Sequence, residues 1–96
     1  MITKYESTEG AATVVEKTSR CRGSEVLEYF LCFEDVGGRT AYSILALQYK
    51  HGEIVCRAKA FDVSSVYGAA KEMFDRISAG FVEPYVLCDV VYDLLP

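Results

Sequence analysis

Histidine, proline and long apolar runs are the scarce features of this chain. The one histidine is His51, and the only prolines are Pro84 and Pro96. A lone histidine provides no cluster of imidazole ligands, and any histidine-based catalysis would rest on a residue in a predicted tight turn. With two prolines, no low-complexity tract and no repeat, nothing divides the 96 residues into separate domains. A chain of this size buries about 60–65% of its unfolded surface, enough for one two-layer core. No run approaches the roughly 18 apolar residues of a membrane span. The opening MITKYESTEG has no apolar stretch of the signal-peptide kind. The expected setting is the cytoplasm, and the polar residues 1–10 are expected to fray.

Positive charge is also in short supply. The formal net charge is -4. Residues 1–62 carry 8 basic and 9 acidic side chains, and residues 63–96 carry 2 and 5, so the acidity is concentrated in the C-terminal third. A general attraction to nucleic-acid phosphates is therefore not expected. Cys21, Cys32, Cys56 and Cys88 contain no Cys-x-x-Cys pair, which argues against a metal site and for free thiols. Cys21 stands apart because Arg20 and Arg22 flank it, a setting that can activate a thiol. Charged residues at 25% and hydrophobic residues at 51% are those of a folded globular domain.

The most readable part is residues 25–61. Glu25 to Asp35, Thr40 to Lys50 and Glu53 to Phe61 are rich in aromatic and aliphatic residues. Gly37-Gly38 and His51-Gly52 separate them, and such pairs fit two-residue type I′ turns, whose central residues need positive φ. The pattern predicts an antiparallel three-stranded meander. Two-residue loops fix register. Phe33 then faces Tyr42, Leu31 faces Ile44 and Tyr29 faces Ala46. In the second hairpin Tyr49 faces Ile54, Leu47 faces Cys56 and Leu45 faces Ala58.

This register gives the sheet two faces. Face one carries Val26, Glu28, Phe30, Cys32, Ser43, Leu45, Leu47, Tyr49, Ile54, Cys56, Ala58 and Ala60. Face two carries Leu27, Tyr29, Leu31, Phe33, Tyr42, Ile44, Ala46, Gln48, Val55, Arg57, Lys59 and Phe61. Burying two unpaired cations is prohibitive, so the presence of Arg57 and Lys59 on face two makes face one the expected inner face. Residues 12–19 read as a fourth strand. A four-residue loop after it would place Lys17 opposite Glu28, the discordant acid of face one.

Beyond Phe61 the apolar period changes to that of a helix. Ser64 or Ser65 is the expected cap, and Val66, Ala70, Met73, Phe74 and Ile77 form one apolar stripe. Lys71 with Asp75 and Glu72 with Arg76 are i,i+4 pairs. Gly80 is the expected stop. Leu87, Val90, Val91 and Leu94 recur at helical spacing after Pro84 and predict a short C-terminal helix, with Asp89 and Asp93 on its other side. The predicted class is α+β: an antiparallel β-meander of three to four strands, an amphipathic helix packed on one face, and a short C-terminal helix.

Three segments, Gly52-Glu53-Ile54-Val55, Asp62-Val63-Ser64-Ser65 and Glu83-Pro84 through Asp93, resemble a small clostridial-type family of uncharacterised Firmicutes proteins. The likeness spans about residues 25–95. It implies the same order of strands and helix, and no activity.

No catalytic constellation is visible. Asp89 with Asp93 suits a solvated helix face, and Glu34 with Asp35 suits a strand end. No phosphate-binding glycine loop is present. No catalytic residue, metal ligand or cofactor is expected. The anomaly is face two, whose Leu27, Tyr29, Leu31, Phe33, Tyr42, Ile44 and Phe61 would form an apolar surface too large for a free monomer. An N- or C-terminal segment folded across it, a homodimer or other protein partner, or a stacked single-stranded nucleic acid would each account for it. The leading expectation is a non-enzymatic interaction module that self-associates or binds a protein there, with Arg57 and Lys59 at the rim. Binding of a small ligand or single-stranded nucleic acid is the alternative.

Overall fold

The computed structural model describes residues 12–95. Strands β1 (Thr13–Arg22), β2 (Glu25–Val36), β3 (Arg39–Lys50) and β4 (Glu53–Ser64) pair in sequential order as one antiparallel sheet. Helix α1 (Tyr67–Ala79), a 3-10 turn (Pro84–Val86) and helix α2 (Leu87–Leu94) follow. The α+β meander with one long and one short helix is therefore the architecture. Both the expected fraying of residues 1–10 and their suggested passage across face two fall outside the described residues.

Backbone conformation explains the tight turns. Gly37 and Gly38 have φ of 60° and 81°, and His51 and Gly52 have 51° and 82°, the left-handed values of type I′ turns. The β1–β2 turn is tighter than the expected four-residue loop, with Arg22 paired to Glu25 around Gly23 at φ 62°. Lys17 consequently faces Phe30, and its ammonium reaches Glu28 diagonally at 3.9 Å.

The β2–β3 register is the expected one, with Phe33 opposite Tyr42, Leu31 opposite Ile44 and Tyr29 opposite Ala46. The β3–β4 register begins as expected at Tyr49 and Ile54, then shifts by one residue at Val55. Gln48 pairs with Cys56, Leu47 with Arg57 and Leu45 with Lys59. An extra residue on one strand is a β-bulge, and a one-residue shift sends the side chains that follow to the opposite face, here as far as Ala60, beyond which the register shifts again. Arg57 and Lys59 thus join face one, and Ala58 and Ala60 join face two.

The helices pack on face two, which corrects the expected inner face. Leu27, Tyr29, Leu31, Ile44, Ala46 and Ala60 form one buried cluster with Ala70, Met73, Phe74 and Ile77 of α1 and Leu87 and Val91 of α2. The rule that unpaired cations avoid the core holds; the expected pairing had put the cations on the wrong side. Each large apolar side chain buried here contributes about 1.5–3 kcal/mol. Phe30, Cys32, Leu45 and Leu47 form a separate cluster with Ala12 on face one, and no helix residue belongs to it. Ile54 and Val66, both expected in the core, are exposed.

The helix ends also differ from expectation. Val66 is the N-cap of α1, and Ser64 Oγ accepts the Val66 N–H at 3.0 Å just ahead of it. Gly80 has φ −88°, and Phe81 takes the left-handed conformation at φ 54°. Phe81 N–H bonds Ser78 O at 3.4 Å and Val82 N–H bonds Ile77 O at 3.3 Å, the two bonds of a Schellman motif. An aromatic residue holds this conformation because its ring packs against the core and lies 5.6 Å from the Arg22 guanidinium. Two further bonds fix the helix end to the sheet. Arg20 Nε donates to Ser78 O at 3.2 Å, and Tyr29 Oη donates to Val82 O at 2.8 Å.

Candidate functional site

The structure separates the eight residues expected to form an interface. Leu27, Tyr29, Leu31 and Ile44 are fully buried beneath the helices. They cannot form a docking surface, which corrects that expectation. Arg57 and Lys59 lie on the opposite side of the sheet, so they do not rim this face. Only Phe33 and Tyr42 remain half-buried at the end of face two nearest the Gly37-Gly38 turn.

Helix α1 adds a third ring there. The Phe33 and Tyr42 centroids are 5.5 Å apart with the rings tilted by 57°. Tyr42 and Tyr67 are 5.8 Å apart in an edge contact at 62°. Both arrangements suit the ring quadrupoles. Tyr67 is 43% exposed and the adjacent Val66 is 61% exposed. Glu16 of β1 pairs with Leu31, which places it on the same face. Its Oε2 accepts a 2.6 Å hydrogen bond from Tyr67 Oη. That bond, followed by burial, raises the Tyr67 phenol above its ordinary pKa. The outcome is an aromatic tier with one carboxylate beside it, able to offer ring faces, apolar edges and a negative charge. Neither Tyr67 nor Glu16 was singled out from the sequence. The available signal was Val66-Tyr67, two large apolar residues entering a helix directly after Ser64-Ser65.

A second polar arrangement lies on face one. Glu34 accepts from Ser43 Oγ at 2.9 Å and from Lys59 Nζ at 2.7 Å. Ser43 Oγ in turn accepts the Asp62 N–H at 3.1 Å. The Lys59 and Glu34 side chains are only 4% and 11% exposed. Asp62 stands at φ 53°, and the Arg39 guanidinium holds its carboxylate through bonds of 3.2 and 2.9 Å. Ser43 is fully buried, so it lacks the access of a nucleophile. The cluster serves as an anchor for the bulged strand.

The other candidate groups remain dispersed. His51 is exposed in its turn. Cys21 is exposed, and strand alternation turns Arg20 and Arg22 to the opposite face, where they bind Ser78 O, Glu25 and Glu83. Asp89 and Asp93 are exposed on α2. A shallow groove of about 290 Å³ between the helices is lined by Ala69, Glu72, Met73, Arg76 and Leu94. Among the described residues no three His, Cys, Asp or Glu side chains gather as a metal site, and no helix is long and apolar enough to cross a membrane. Comparisons with protein-family models, curated proteins and solved structures found no match.

Proposed function

We propose that this chain is a small non-enzymatic module that docks another protein through Phe33, Tyr42 and Tyr67. The observation that carries this reading is the half-open aromatic tier, bordered by exposed Val66, at the end of an otherwise covered sheet face. Rigid aromatic side chains supply much contact area with little conformational entropy to lose, which suits them as anchors of an interface. We place the module in the cytosol; the free and exposed Cys21 and Cys88 support a reducing compartment. The kinship with the uncharacterised Firmicutes family belongs to the same proposal and assigns no activity. Small-ligand or single-stranded nucleic-acid binding is less well supported, because Glu16 beside the rings repels phosphate.

The test is photo-crosslinking in the cells that make the protein. A benzophenone amino acid replaces Tyr67 in one sample and Tyr92, exposed on α2, in another. The proposal expects a protein adduct from position 67 and none from position 92. An adduct mass of two chains would identify self-association. An adduct from position 92 alone would place the interface on α2 and overturn the proposal.

A further inference from the structure

We infer that the partner inserts a positively charged side chain, a guanidinium or ammonium, against the tier. This rests on the docking reading above and names what that surface selects. Phe30 has Lys17 at 5.7 Å, Phe81 has Arg22 at 5.6 Å, Phe61 has Lys59 at 4.8 Å and Phe74 has Lys71 at 6.0 Å. These are cation–π distances, and each ring is already served by this chain's own bases. Phe33 has no such cation among the described residues, and neither do Tyr42 and Tyr67, which follow it in series through tilted and edge contacts.

Glu16 sharpens the preference. Its carboxylate is bonded to the Tyr67 hydroxyl and joins no ion pair among the described residues. Lys71 is the base whose charge reaches both Tyr67 and Glu16, but its ammonium is bonded to Asp75 at 2.8 Å and stands over neither ring nor carboxylate of the tier. The tier thus presents ring faces and a carboxylate that no described base contacts at ion-pair distance, the combination that recognises an organic cation. A second copy of this chain is a poor source of that cation. Each described lysine and arginine already has a partner, as in the pairs Arg39–Asp62, Lys50–Glu25 and Arg76–Glu72. The occupant is a basic side chain of a different protein.

The experiment titrates the intact protein with N-acetyl-arginine methylamide and, separately, with the neutral N-acetyl-norleucine methylamide, while NMR follows the Tyr42 and Tyr67 ring signals. The arginine probe should give saturable shifts at least about five-fold stronger in affinity than norleucine, as roughly 1 kcal/mol of cation–π attraction implies. Glu16→Gln, which keeps an acceptor for the Tyr67 hydroxyl, should weaken the arginine response, and Tyr67→Leu should abolish it. Equal affinity for both probes, no binding of either, or a response indifferent to Glu16→Gln would overturn the inference. Crosslinking from position 67 without an arginine preference would leave the docking surface standing and remove only the cation.

Discussion

The hairpins β2–β3 and β3–β4 share a strand and have the same kind of turn, with both central residues left-handed. The first keeps the register of its turn along its full length. The second abandons it within two residue pairs, at Val55. A turn therefore fixes register only as far as the side chains accept it. In the first hairpin the turn and the apolar pattern agree, since Phe33, Leu31 and Tyr29 meet Tyr42, Ile44 and Ala46 on one face. In the second they conflict. Unbulged pairing would set Arg57 and Lys59 beneath the helices, where desolvation would cost several kcal/mol for each ion. The bulge replaces them with Ala58 and Ala60, small enough for α2 to pack on β4, and carries Lys59 to Glu34.

If Lys59 and Glu34 hold the displaced strand, removing one partner should have the largest effect. Lys59→Met keeps the length of the side chain but leaves Glu34 buried without its counter-charge, for an expected loss of about 3–5 kcal/mol in urea unfolding. The double change with Glu34→Leu should recover most of it. A loss below about 1 kcal/mol for Lys59→Met would show that the pair does not secure the strand.

The next contrast compares one residue from each hairpin. Leu31→Ala beneath the helices should cost about 2–5 kcal/mol. Ile54→Ala, at an exposed position beside the bulge, should stay near about 0.5 kcal/mol. The unbulged register makes the opposite assignment, so the reverse ranking would restore it.

The smallest effect concerns pH. Burial pushes the Tyr29 phenol up to about 12, because the fold favours the neutral form that donates to Val82 O. Its contribution is fully present below the ordinary tyrosine value near 10.0 and is lost as pH rises through about 12. Stability should decline over that window, and Tyr29→Phe should flatten the decline while lowering stability at neutral pH. An unchanged alkaline limb in Tyr29→Phe would assign it to other groups.

Much of this fold was legible in the sequence. Glycine pairs marked the turns, alternation marked the strands, and Leu87, Val90, Val91 and Leu94 marked the last helix. The bulge was not, because nothing in Glu53 to Phe61 distinguishes the strand with Val55 paired from the strand with Val55 extruded. Periodicity fits both, and only the three-dimensional position of Glu34 and the helices decides. That single residue reversed the reading of both faces. It made buried Leu27, Leu31 and Ile44 look like a docking surface and hid the small true opening. Phe33 and Tyr42 were found through pairing, whereas Tyr67 and Glu16 join them only because α1 folds back across the sheet end.

The most direct test of this account is the cross-strand contact pattern of β3 and β4 in solution, read from nuclear Overhauser effects between backbone protons. The bulged register predicts contacts of Leu47 with Arg57 and of Leu45 with Lys59. Contacts of Leu47 with Cys56 and of Leu45 with Ala58 would contradict it, return the cations to the helix face and remove the physical basis for the aromatic site.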